Sequence, residues 1–158
     1  MERACYIKDM GVEMNRYVTC CGLYCGACVS IFLQEKAEGN ASLEKFSWEY
    51  EEELCPGCAA GENNHCEITA CCIEHNVQIC AFCPEFPCSV IRDFSRDEWP
   101  HHKEVLENLQ RIKEVGIDQW LSEQKDKWSC PACQARNHWY QNKCYNCGAE
   151  WEARYKLD

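Results

Sequence analysis

Cys21-Gly22-Leu23-Tyr24-Cys25-Gly26-Ala27-Cys28 decides how this chain folds. Eight residues carry three thiols and two glycines, and no charge. A Cys-x-x-Cys turn places two thiolates where one metal ion holds both. Two such turns complete a tetrahedral site with Zn–S bonds of about 2.3 Å. The same turn recurs at Cys55/Cys58, Cys80/Cys83, Cys130/Cys133 and Cys144/Cys147, and cysteine supplies 17 of the 158 residues. Such density suits either a secreted disulfide framework or a metal protein. The N-terminus Met1-Glu2-Arg3-Ala4-Cys5-Tyr6-Ile7-Lys8-Asp9 has no apolar core or cleavage site. The cysteine count is odd and the spacing is that of metal knuckles, so the sequence predicts a reduced, cytoplasmic protein.

The uncharged run from Tyr17 to Gln34 approaches membrane-spanning length, but its thiols and glycines make a poor span. A knuckle leading into a short core helix is expected there, and no membrane partner. The balance of 16 Lys+Arg against 26 Asp+Glu gives a net charge of −10. Each tetrathiolate zinc adds about two further negative charges. That excludes a general basic surface for nucleic acid.

Periodicity places the helices. The segment 29–38 reads as helix ended by Gly39-Asn40, and 42–54 as an acidic helix capped by Ser42. A short helix is expected near 70–76 and a short strand at 77–80. Pro87 is expected to open a helix running to Phe94. Val105, Leu106, Leu109, Ile112 and Val115 mark one face of a helix over 100–115, stopped by Gly116, and a second helix follows over 118–125. The expected fold class is α+β: short helices and hairpins stabilised by metal. The division is 1–98 as a cysteine-rich metal-binding domain, 99–127 as a helical connector and 128–158 as a zinc ribbon. Metal replaces core where such units bury too little apolar surface.

Cys130-x2-Cys133-x10-Cys144-x2-Cys147 reads as a closed structural zinc site. Trp128-x-Cys130-x2-Cys133-x3-Asn137-x6-Cys144-x2-Cys147 also resembles the RanBP2-type zinc fingers, some of which bind single-stranded RNA. That resemblance implies a stacking platform, for which Trp139, Arg136 and Lys143 are the candidates. Packing of Trp128, Trp139 and Trp151 over the finger is the simpler expectation for an acidic chain.

The core motifs have a resemblance of their own. Cys21 to Cys28, Cys55-Pro56-Gly57-Cys58, Cys66-x-Ile68-x-x-Cys71 and Cys80-x2-Cys83-Pro84-Glu85-Phe86-Pro87-Cys88 are similar to the Domain of Unknown Function 3795 family, over about residues 18–95. The resemblance implies zinc and ten ligand candidates: Cys21, Cys25, Cys28, Cys55, Cys58, Cys66, Cys71, Cys80, Cys83 and Cys88. It implies no activity. One partition joins Cys25/Cys28 with Cys55/Cys58 and Cys66/Cys71 with Cys80/Cys83. Cys21 and Cys88 remain over, Cys88 as a candidate reactive thiol at a helix N-terminus. Cys5, Cys20 and Cys72 fall outside the pattern as buried free thiols. His65 and His75 are further possible ligands beside it.

With the finger, the expectation is about three Zn²⁺ per chain. The alternative for the core is a [4Fe–4S] cluster or thiol redox chemistry, suggested by Cys80-x2-Cys83-Pro84. Cys21-x3-Cys25-x2-Cys28 also has the spacing of radical S-adenosylmethionine enzymes, but the chain is too short for their barrel. No glycine-rich phosphate loop, His-Glu-x-x-His or Gly-x-Ser-x-Gly is present. No catalytic residue is assigned. The chain reads as a non-catalytic adaptor or regulatory module with a protein partner, or with single-stranded RNA at the finger.

Overall fold

Hydrophobic side chains from both ends of the chain meet on one helix, Val105–Val115 (α4). In the computed structural model, which describes residues 15–58 and 66–157, it follows Val29–Ala37 (α1), Glu67–Glu74 (α2) and Ser89–Phe94 (α3) and precedes Ile117–Lys127 (α5). Short 3₁₀ turns at Cys25–Ala27, Ala41–Leu43, Cys80–Phe82 and Pro100–Glu104 join them. Cys5 and His65 lie outside the described residues. Among the described residues no helix is long and apolar enough to cross a membrane.

The α4 pattern does what its period dictates. Val105, Leu109 and Ile112 are fully buried, and Trp120 of α5 packs beside them. The turn at Gly22 lies directly on this helix: Asn108 donates from Nδ2 to the Gly22 carbonyl at 2.9 Å. Gly22 has φ +83°, and a Cβ there would stand 2.6 Å from Leu109 Cγ and 3.3 Å from the Val105 carbonyl oxygen. Glycine is required twice over, by conformation and by space.

The described residues form several short helices and almost no strand, so the α+β expectation is not confirmed. Among the described residues antiparallel pairing is limited to two isolated bridges, Ser129–Arg136 and Lys143–Glu150. Ile79 has extended dihedrals, but the segment 77–80 joins no ladder; the Cys80 amide donates to the Cys20 carbonyl at 2.9 Å. The acidic helix expected over 42–54 is also replaced. After Ala41–Leu43 the chain runs without regular structure. Phe46 is buried, Trp48 half-buried and Tyr50 exposed, so the aromatic residues follow period two rather than 3.6. Lys36 Nζ holds this path by donating to the Glu44 and Phe46 carbonyls. Pro87 stands ahead of α3 rather than inside it, with Cys88 as the capping position.

A second apolar cluster, Val29, Phe32, Leu43 and Phe46, receives Tyr145 from the C-terminal unit. Beside it Glu35 of α1 is buried and takes an ion pair from Arg136 Nη2 at 2.5 Å and a hydrogen bond from Tyr17 Oη at 2.6 Å. The guanidinium lies over the Tyr17 and Phe32 rings, 4.9 and 4.3 Å from their centroids. Burial pushes the Glu35 carboxyl up. The hydrogen bonds from Arg136 and Tyr17 and the nearby positive charges outweigh it and hold the group below its ordinary 4.5.

Two predictions follow from this packing. Gly22→Ala destabilises the metal-loaded protein by about 2–5 kcal/mol, from left-handed strain plus overpacking. Gly39→Ala, where a Cβ meets open space, costs about 1–2 kcal/mol; thermal melts of both separate the two contributions. Arg136→Ala strands a buried carboxylate and costs about 3–5 kcal/mol. The stability that Glu35 supplies is complete above pH 4.5, its ordinary value, and is lost as pH falls through its lower folded value. Glu35→Gln flattens that acid limb in a pH series of melts.

Candidate metal centres

Two equivalent turns build the finger. In the first, Cys130 N–H donates to Ala135 and Gln134 N–H to Cys130; in the second, Cys144 N–H donates to Ala149 and Gly148 N–H to Cys144. The four distances are 2.8 to 2.9 Å, and Gln134 (φ 63°) and Gly148 (φ 77°) occupy the same left-handed place in each turn. Two knuckles of one shape face each other. Their four sulfurs all lie within 4.8 Å, with Cys130–Cys147 at 3.7 Å and Cys133–Cys144 at 3.6 Å.

That spacing tests the fit to a metal. Four sulfurs at about 2.3 Å from one ion in a tetrahedron stand about 3.8 Å apart. The Cys130–Cys147 and Cys133–Cys144 edges are within about 0.2 Å of it. Its thiols are also prepared. Asn146 Nδ2 donates to Cys133 Sγ at 3.5 Å, and with the Ala135 amide it lowers the Cys133 thiol to about 6. Cys147 goes the other way, to about 12: the Ala149 amide favours its thiolate, but hydrogen bonds with Cys133 and Cys130, together with desolvation, outweigh it.

The core cysteines divide between two places. Cys25 lies against Cys58, and that hydrogen bond, then burial and the nearby Cys28 and Cys21, hold its thiol well above the ordinary range. Burial raises Cys28, with Cys55 beside it. Burial pushes Cys21 up to about 12, against the hydrogen bond from Thr19 at 3.2 Å. Cys66, the capping position of α2, faces this group, since its charge bears on Cys21. Cys71 lies on the other side of α2, where Cys88, Cys80 and Cys83 bear on it.

Cys71, Cys72, Cys80, Cys83 and Cys88 line one small cavity with Val77, Phe86 and Ile91. Cys20 and Cys72 are buried, as expected, but belong to this sulfur network. Cys72 lies 3.5 Å from Cys80, and its thiol hydrogen-bonds both Cys20 and Cys80, which lowers those two and raises Cys72. The Cys25–Ala27 and Cys80–Phe82 turns are built alike, Cys28 N–H closing on Cys25 and Cys83 N–H on Cys80 at 3.0 and 3.1 Å.

A second group of three ligand atoms within 4.8 Å is His75, Cys83 and Glu85. Glu85 escaped the sequence reading although it stands inside the quoted Cys83-to-Cys88 motif. The proposed RNA platform is turned inward. Trp139 is buried, stacked on His101 at 3.8 Å, and its amide donates to the Ala27 carbonyl at 3.1 Å. Arg136 is committed to Glu35, and Lys143 pairs with Glu150 at 3.0 Å. A buried indole and a paired guanidinium cannot stack on bases.

Comparison with known proteins agrees with the core motifs. The family described as Protein of unknown function (DUF3795) matches residues 17–93. Comparisons with curated proteins and with solved structures gave no match. The segment matched by the DUF3795 family of proteins of unknown function, 17–93, holds all ten core ligand candidates.

Proposed function

We propose that this is a zinc-binding protein acting as a non-catalytic adaptor or regulatory module. The observation that carries the reading is the finger: four thiols at tetrahedral spacing on two matched knuckles. A site filled by four protein thiolates has no open position for a substrate, so it serves structure. The Cys21/Cys25/Cys28/Cys55/Cys58 group and the group around Cys71, Cys80, Cys83 and Cys88 supply donors for one further ion each. Soft thiolates in such sets select Zn²⁺ or iron–sulfur clusters. Bound zinc would cross-link each set and supply folding energy.

A protein partner fits the surface better than RNA. The net charge is −10, and the exposed apolar side chains include Tyr50 and Leu54. Phosphate neutralisation, which dominates nucleic-acid affinity, has little to draw on.

Elemental analysis of anaerobically purified protein is expected to give about three zinc and no iron per chain. Iron with a brown colour would replace zinc by a cluster in the core. Cys144→Ser is expected to remove one zinc. Trp128 and Trp139 are buried against the finger. Stripping the metal with a strong chelator should therefore shift tryptophan emission to the red; unchanged emission would separate finger packing from the metal.

A further inference from the structure

The end of α2 meets the turn after Cys80–Phe82 at His75, Cys83 and Glu85. His75 follows the last residue of α2. Its Nδ1 lies 2.9 Å from the Cys71 carbonyl oxygen and 3.6 Å from the Cys71 sulfur, so both partners of that nitrogen belong to Cys71. A donor proton on Nδ1 satisfies that carbonyl and makes Nε2, which hydrogen-bonds Glu85, the nitrogen that gives up its proton to an incoming ion. Nε2 points the other way, 3.0 Å from Glu85 Oε2, and Cys83 Sγ completes a group whose atoms all lie within 4.8 Å. This is the arrangement that orients a metal-binding imidazole: one nitrogen tied to a backbone carbonyl, the other presented to the ion.

From this geometry we infer a second kind of metal site, in which His75 Nε2, Cys83 Sγ and Glu85 hold a divalent cation of the Zn²⁺ class with one coordination position open. A His–Glu surface pair accounts for the imidazole and the carboxylate, but not for a sulfur in the same shell. The donor set of one nitrogen, one thiolate and one carboxylate suits borderline ions, Zn²⁺ first. One thiolate and one carboxylate neutralise the ion, whereas four thiolates overcompensate it. His75 and Glu85 are exposed and Cys83 half-buried, so the ion is reached from solvent. Three protein donors with an accessible fourth position describe an exchangeable ion, unlike the closed finger. The acidic chain draws cations toward it. The inference rests on the zinc-binding reading above: of its three ions, the one assigned there to the group around Cys83 is the ion of this site, and it becomes a regulatory element, a zinc that leaves while the finger stays loaded.

The test uses the full-length protein loaded with Zn²⁺, desalted, and mixed with a colorimetric zinc chelator. One equivalent per chain is expected to leave in a fast phase. His75→Ala should abolish that phase, and Glu85→Gln should weaken the same equivalent at least tenfold in competition with a fluorescent zinc indicator. Neither should touch the equivalent lost in Cys144→Ser. Unchanged stoichiometry and affinity in His75→Ala overturns the inference while leaving the finger reading intact; failure to load any zinc overturns both. Wild-type nitrogen NMR gives a readout independent of substitution. Zn²⁺ should shift His75 Nε2 and leave Nδ1 protonated, and an Nε2 signal indifferent to saturating Zn²⁺ sinks the site.

Discussion

A guanidinium buried between two aromatic rings and a carboxylate ties the finger to the cysteine-rich body. Arg136 belongs to the first knuckle, as the partner of Ser129 in its bridge. Glu35 belongs to α1, the helix that starts directly after Cys28. Neither charge is stable alone in that place, since an unpaired buried ion costs several kcal/mol. Each therefore fixes where the other's element must sit. His138 then packs edge-on to Phe32, Phe46 and Trp48, and Trp139 closes on His101 and the Ala27 carbonyl. The finger is docked by its own backbone and rings onto residues next to the first cysteine motif.

Docking explains why the extended segment 44–54 exists. Phe46 and Trp48 fill the space between α1 and His138, and side chains two apart reach one side when the chain is extended. In a helix, Phe46 and Trp48 would lie about 200° apart and one of them would leave the cluster. Repulsion among Glu49, Glu51, Glu52 and Glu53 opposes the helix as well. The sequence contained this alternation, yet helix propensity and a plausible cap at Ser42 pointed the other way. Tertiary packing decided it.

Legibility followed the range of the forces. The knuckles were readable because Cys-x-x-Cys and its left-handed fifth residue are local geometry. The α4 face was readable because Val105, Leu109 and Ile112 recur at the helical period. Strands were overcalled because a β-branched run such as Val77 to Ile79 reads as extended whether or not a partner lies alongside. Pairings across the chain were not readable. Nothing local to Arg136 announces Glu35, 101 residues away. Cys66 and Cys71 looked like a pair on spacing, but Cys71 lines the cavity with Cys80, Cys83 and Cys88 while Cys66 caps α2 in extended conformation. Glu85 was hidden for the opposite reason, since among so many thiols a carboxylate draws no notice.

Loop closure connects metal to docking. Besides Tyr145 of the second knuckle, the finger contacts that hold the body, from Arg136 through His138 and Trp139 to Tyr140, lie between the two knuckles, in the segment 134–143. An ion bound by Cys130, Cys133, Cys144 and Cys147 pins both ends of that segment. Closing a loop in advance removes entropy that docking would otherwise have to overcome, on the order of one and a half RT times the logarithm of its length plus a constant. The metal thus acts on the interface without touching it. Conversely, Glu35 and the Ala27 carbonyl hold the middle of the loop and bring the knuckles toward each other. A bound ion and the ion pair would reinforce one another through ten residues of backbone, and the four-thiol cluster would then control the surface around Trp48, Tyr140 and Tyr145.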